Sequence, residues 1–390
     1  MTSKFDNSVT SKAIWAIRIA FISNGLAMGS VYVRIPDLKQ KLMIDNLQIG
    51  TILLCASIGV LIAISQAGRI CAKSGSRPVA IYSSYAAVLS LLSVSLSQTY
   101  LLTCLAFAFW GFTAATQDVA MNTHASTLEH QNNKRYMSGF HATFSLGALF
   151  GSLIGGIASQ NQISLVSQSL IIGSLFIFFT SISINWWLPA DADRHNIEDQ
   201  KKLDKRPKIF LFIGLLGFAS TINEGASGDW GGILARETFN ATPFLSALPY
   251  IFFNVAMVIG RFSGDWLATK FGAIKILFTA GLMSGIGLAG GLIIGNIYGQ
   301  IFGWFAIGAG MSVVIPMVFS LAAEIARERY PGQIAPSQAV AVASGISYVG
   351  FMVGPPMMGF IAEVTTLRWA MLIPAALAIA LAFGSRTIKR

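Results

Sequence analysis

The sequence predicts an all-α polytopic membrane protein, with twelve transmembrane helices in two pseudo-symmetric six-helix bundles. Three observations predict it: a composition too apolar for a solvated surface, a row of apolar runs of spanning length, and a sequence repeat between the two halves. Of 390 residues, 54% are hydrophobic and 11% charged, against about 25% charged in soluble chains. Mean hydropathy is +0.63. The net charge of +10 would suit nucleic acid if the basic residues formed a patch, but they lie scattered between apolar blocks. Cys55, Cys71 and Cys104 show no paired or metal spacing and read as packing residues.

A bilayer core about 30 Å thick needs roughly 20 apolar residues in a helix. In the first half such runs occur at Ala13–Val33, Leu47–Ala67, Val79–Leu96, Leu101–Thr123, Met137–Ala158 and Ile163–Leu188. The first run has no small-residue cleavage site after it and reads as a span, not a removed signal peptide. In the second half they occur at Ile209–Leu234, Phe244–Gly264, Ile274–Ile294, Tyr298–Ala322, Ser337–Ala362 and Thr366–Phe383. Between the halves, Pro189–Lys208 holds eleven charged residues and reads as a solvated linker. The expected domains are therefore residues 1–188, a cytoplasmic linker at 189–208, and residues 209–390.

Lys and Arg accumulate in cytoplasmic loops. With the amino terminus inside, 21 of them fall in inner segments and 5 in outer ones, with Arg18 inside the first helix completing the 27. The expectation is a multi-pass protein of the inner or plasma membrane with both termini cytoplasmic. The loops after the second and eighth helices support the repeat: Lys73-Ser-Gly75 and Lys270-Phe-Gly272 carry the same Lys-x-Gly spacing. The fifth helix carries Gly147, Gly151 and Gly155 and the eleventh Gly350 and Gly354, a spacing that lets helices approach closely in lipid.

Twelve helices in two halves, a charged central linker and paired basic Gly loops resemble the major facilitator superfamily of secondary transporters. Asp118-Val-Ala-Met-Asn122, Ser138-Gly-Phe-His141-Ala-Thr-Phe-Ser-Leu-Gly147 and Gly354-Pro-Pro356 are similar to the branch that contains the fucose and other sugar:proton symporters. Two features depart from that pattern. The loop acid of the family is present as Asp265, while Gly68 stands at the corresponding place in the first half. The proline of the antiporter pattern is missing from the fifth helix, which points away from efflux.

Ionisable residues inside a membrane are costly and mark function by default. Asp118 lies about 7 Å above the inner end of the fourth helix, with Asn122 one turn below it on the same face. The resemblance implies that Asp118 is the protonatable site of a central cavity. Arg18 and His141 fall at similar depth, and Asp118 is expected to pair with Arg18 in one state, a pair that proton or substrate binding breaks; snorkelling to the headgroups is the alternative for Arg18. His141 suits a proton relay or a packing role. Glu224 lies past the midplane of the seventh helix, facing the cavity with Asn24, while Asp229 and Trp230 read as an outer cap and a belt aromatic. Arg69, Lys73, Arg77, Arg261, Asp265, Lys270, Glu129, Arg135, Glu324 and Arg327 sit at inner helix ends. There they read as solvated loop charge, and the resemblance makes the first six of them a cytoplasmic gate.

Gly285-Ile-Gly-Leu-Ala-Gly290 satisfies GxGxxG, but it lies inside an apolar helix with no acid about twenty residues on, so the nucleotide-binding context fails. No Walker loop, catalytic triad or Cys set suggests an enzyme or an ATP-driven pump, and His124, His130 and His195 form no metal constellation. The expected function is proton-coupled uptake of a small, sugar-like solute by alternating access, by a monomer in the lipid bilayer. The proton gradient is the driving force, and neither cofactor, metal nor nucleic acid takes part. Proton-driven drug or metabolite efflux and a non-transporting receptor are the alternatives.

Overall fold

A computed structural model of the protein describes residues 7–132, 134, 136–194, 207–331 and 333–388. The chain divides into two compact units, Met1–Ile44 with Thr51–Gln200, and Asp45–Gly50 with Lys201–Arg390. His195 and most of the charged segment expected as the linker lie outside the described residues, as do Arg135 and the side chain of Asp265.

The helices run α1 (Asn7–Tyr32), α2 (Ile35–Leu42), α3 (Asn46–Ser74), α4 (Ser76–Leu96), α5 (Tyr100–Asn132), α6 (Met137–Gln160) and α7 (Leu165–Ser183) in the first half. The second half holds α8 (Lys208–Phe239), α9 (Pro243–Phe271), α10 (Ala273–Ile294), α11 (Ile297–Met311), α12 (Val314–Arg329), α13 (Pro336–Val364), α14 (Leu367–Ala370) and α15 (Leu372–Arg386). No strand occurs among the described residues. Helix starts follow their side chains: Ser164, Thr242 and Asn296 each accept the backbone N–H three residues on, at the heads of α7, α9 and α11, which satisfies a donor that the helix leaves free.

Two expected spans are interrupted. The tenth apolar run appears as α11 and α12, the twelfth as α14 and α15. Pro316 and Pro374 stand four residues after Ser312 and Ala370, at the two breaks, and cannot donate to the carbonyls there. Counted as continuous, eleven helices among the described residues are long and apolar enough to cross a membrane. The fourth expected span, α5, is not among them, because Thr113, Thr116, Gln117, Asp118, Asn122 and Thr123 dilute its hydropathy. It nevertheless packs on α4 and α1 and exposes Leu101, Leu102, Leu105 and Phe109, the apolar surface expected of a spanning helix.

Backbone contact replaces side-chain packing where the glycines recur. A Cβ built at Gly25 or Gly29 of α1 would stand 2.1 Å from the carbonyl oxygen of Phe144 or Ala148 on α6. From the other side, Gly147 and Gly151 meet the carbonyls of Ile22 and Leu26 at 2.2 and 2.1 Å. In the second unit a Cβ at Gly350 of α13 would stand 2.1 Å from the Thr221 hydroxyl and 2.7 Å from the Phe218 carbonyl oxygen of α8. The GxGxxG run is also a packing surface: Gly285 abuts α15 at Ile379 and Ala375, and Gly287 abuts Ala306 of α11.

The Lys-x-Gly turns are alike in the two halves. Gly75 and Gly272 have φ +83° and +80°, a left-handed conformation that favours glycine, and each precedes the first residue of the next helix, α4 or α10.

Candidate functional site

In the first unit, Asp118 and Asn122 occupy successive turns of α5. The Asn122 amide donates to the Asp118 carboxylate at 3.0 Å and to its backbone carbonyl at 2.8 Å. Asp118 is exposed. At about 100° per residue, Leu105 and Phe109 lie roughly 140° and 180° round the helix from it, so the carboxylate emerges well away from the apolar stripe.

Beneath this pair runs a buried chain of neutral polar groups. Asn24 of α1 donates to Gln117 at 2.8 Å, and Gln117 donates to Ser84 of α4 at 2.9 Å. Ser84 in turn donates to the Ala80 carbonyl at 2.7 Å. Asn24 is 7% exposed and Gln117 fully buried. Asn24, expected to line a cavity, has its amide engaged inside the bundle in this structure. Gln117 was missed by the sequence reading, although a polar amide beside an intramembrane acid was the signal available.

The expected Asp118–Arg18 ion pair is not formed in this structure. Arg18 lies over the ring of Trp15, 5.1 Å from its centroid, and its Nε has no hydrogen-bond partner among the described residues. His141 sits edge-on to Phe21 with centroids 5.2 Å apart, so α1 and α6 bring a cation and an imidazole to the same end of the bundle.

His124 holds together the basic end of this unit. Its Nε2 accepts the Leu188 N–H at 3.1 Å, and Nδ1 lies 2.7 Å from the Ser76 hydroxyl. These partners suit the neutral ring with the proton on Nδ1. Trp187 stacks edge-on at 4.8 Å. Asp193 accepts the Ser76 N–H at 3.0 Å, Arg77 donates to the Ile184 carbonyl at 3.1 Å, and a Cβ at Gly75 would stand 2.0 Å from the Ala190 oxygen. The segment after α7 is thereby strapped over the Gly75 turn. Arg77, expected at a gate, is one of the strap's ties, while Arg69 and Lys73 are exposed. Glu129 accepts the N–H groups of Tyr136 and Met137 at 2.5 and 2.8 Å, capping the start of α6.

In the second unit, Glu224 of α8 lies 4.0 Å from the Arg261 guanidinium of α9, both side chains less than one-fifth exposed. Ser220 donates to Glu224 at 3.4 Å, and the buried Tyr250 phenol lies within electrostatic reach of Glu224, Arg261 and Asp229. Arg261, grouped by sequence with the gate, is therefore a partner of the intramembrane acid. A long side chain on a neighbouring helix reaches further along the bundle than its place in the sequence suggests. Asp229 and Trp230 are 6% and 0% exposed, so Trp230 offers no face to an aromatic belt. Gln300 fills the space beside them, donating to the Gly231 carbonyl at 2.7 Å.

Lys270 is exposed and rests over Trp266 and Phe271; Asp265 lies in α9 by its backbone. No group of three or more His, Cys, Asp and Glu side chains able to hold a metal occurs among the described residues.

The model of the Major Facilitator Superfamily matches residues 18–335 and 236–388. The chain belongs to this superfamily. An uncharacterised MFS-type transporter of Yersinia pestis is 29% identical over 376 residues, 96% of this chain and 95% of the relative. Among solved structures, the nucleoside transporter NupG superposes with a TM-score of 0.76 at 13% identity, covering 97% of this chain and all of that one. The E. coli fucose:proton symporter FucP does so with a TM-score of 0.62 at 18% identity, covering 96% and 98%. The fold is that of a major facilitator transporter, and the chain is a multi-pass membrane protein of a transporter family that binds small-molecule substrates.

Proposed function

We propose that the protein carries a small polar solute across the inner or plasma membrane by alternating access, with proton movement through Asp118 driving uptake. The supporting observation is the setting of that carboxylate. It is exposed on a spanning helix, on the side away from the apolar stripe, and held by one neutral amide from Asn122. A group of this kind has no cation to fix its charge and is free to exchange a proton. Glu224, by contrast, has Arg261 as a counter-charge, and serves substrate or coupling through the making and breaking of that pair. His141 and Arg18 supply a relay and a movable positive charge at one end of the first bundle.

The substrate we assign is sugar-like: a ring bearing hydroxyls, met by amide and carboxylate groups and stacked on aromatic faces. The motif resemblance around Asp118 supports this class, as does the presence of a nucleoside transporter and a fucose:proton symporter among the proteins that share the fold. Transport is by the monomer.

Screening a solute library for thermal stabilisation of the purified protein identifies the ligand, since binding to the native state raises the melting temperature. Proteoliposomes then test the coupling. Asp118→Asn should abolish accumulation driven by an inward proton gradient while retaining counterflow of labelled solute. Full gradient-driven accumulation by this variant overturns the reading. Accumulation driven outward by the same gradient would assign efflux instead.

A further inference from the structure

The basic end of the second unit contains an open cleft lined by Phe271, Gly272, Ile274, Lys275, Phe278 and Arg386. It lies where the turn between α9 and α10 meets the end of α15. Its two cations are mounted on aromatic faces. The Arg386 guanidinium lies 3.4 Å above the Phe278 ring and the Lys275 ammonium 5.5 Å from the centroid of Phe271. Lys270 at the rim sits over Trp266 and Phe271 at 4.8 and 5.3 Å. Among the described residues none of the three forms an ion pair with a carboxylate, and no acid lines the cleft. A ring face attracts a cation but supplies no hydrogen-bond acceptor in the plane of the guanidinium, so the donor edges of Arg386 and the ammonium of Lys275 remain available to an anion.

Beside the cleft, Trp266 packs edge-on against Phe271 and Phe383 against Phe278, and Phe262 stands one turn before Trp266 on α9. Phe262, Trp266 and Phe383 are 72%, 59% and 57% exposed. Cations at the end of spanning helices, with large apolar side chains beside them on the membrane side, match the two chemistries of a phospholipid: a phosphate and its acyl chains. The internal repeat shows that the cleft is not simply what such a turn must carry. Gly75 and Gly272 correspond at an offset of about 197 residues in this two-bundle fold, and at that offset Phe271, Lys275 and Phe278 correspond to Ser74, Pro78 and Ile81, while Arg386 at the end of α15 matches Ser183 at the end of α7. Only Lys270 has a basic counterpart, Lys73. The open cleft beside the first turn, lined by Ile70, Ser74, Pro78 and Tyr82 among others, contains no cation.

We infer that this cleft binds the headgroup of an anionic phospholipid, with Arg386 and Lys275 on the phosphate and Trp266, Phe262 and Phe383 along the acyl chains. The site is separate from the Asp118 and Glu224 groups, and the inference does not depend on the transport reading.

Native mass spectrometry of the full-length protein in detergent, titrated separately with phosphatidylglycerol, phosphatidylcholine and inorganic phosphate, tests it. Wild type should retain phosphatidylglycerol preferentially. At about a fivefold loss of affinity per cation removed, the double variant Lys275→Gln, Arg386→Gln should bind it roughly 30-fold more weakly. Arg386→Lys should keep most of the affinity, and Lys12→Gln, an exposed cation elsewhere, should change nothing. Equal retention of phosphatidylcholine, unchanged binding by the double variant, or competition by millimolar inorganic phosphate to the same extent as lipid would overturn the assignment. Melting temperatures of the variants in lipid-free detergent should match wild type, which separates loss of binding from loss of fold.

Discussion

The two bundles share the Lys-x-Gly turn but manage buried polarity in different ways. The first joins α1, α5 and α4 through neutral groups, Asn24, Gln117 and Ser84, and leaves its acid exposed with one amide. The second places an acid against a cation between α8 and α9, with Tyr250 and Asp229 buried nearby. In a medium without water a neutral amide chain costs little to enclose once its hydrogen bonds are made, whereas a lone charge needs a counter-charge. The same scaffold thus holds one carboxylate with an amide alone and another beside a cation.

Breaking the pair in the second bundle should have the largest effect on stability. Arg261→Gln leaves Glu224 without its counter-charge and should destabilise the protein by about 3 kcal/mol, read as a lowered melting temperature. Adding Glu224→Gln should restore most of the loss, and no restoration would mean that the pair is not what holds this region. The two turns offer a second contrast. Gly75→Ala meets both an unfavourable φ and the Ala190 carbonyl, 2.0 Å from the new Cβ, and should cost roughly 2 kcal/mol with release of the strap. Gly272→Ala meets the same unfavourable φ and should cost less; equal melting temperatures for the two variants would remove the strap from the explanation. The smallest expected effect is in the amide chain. Gln117→Leu leaves Asn24 and Ser84 short of one partner each and should cost about 1 to 2 kcal/mol, without the second-site rescue expected of the ion pair.

The fold was legible because spanning length, loop charge and glycine spacing are periodic properties, carried by many residues at once. The candidate site was legible only in part. Asp118, Asn122 and Glu224 stood out as polar groups in apolar runs, and that signal needs no knowledge of neighbours. What they touch depends on how far a side chain reaches across to another helix. Arg261 therefore read as loop charge and Trp230 as a belt residue. His124 illustrates the same limit. Its partners come from the start of α4 and the segment after α7, 48 and 64 residues away, and no spacing rule connects them. The breaks before Pro316 and Pro374 were visible as prolines, but apolar windows average over them.

Where α1 crosses α6 the two backbones touch with no side chain between them. Sliding one past the other would drive a carbonyl into a Cα, so Asn24 and His141 ride on a single stiff plank. Paired spin labels on the exposed faces of these two helices should report one unvarying separation in every state of the protein, and so provide an internal ruler for the displacement of everything else.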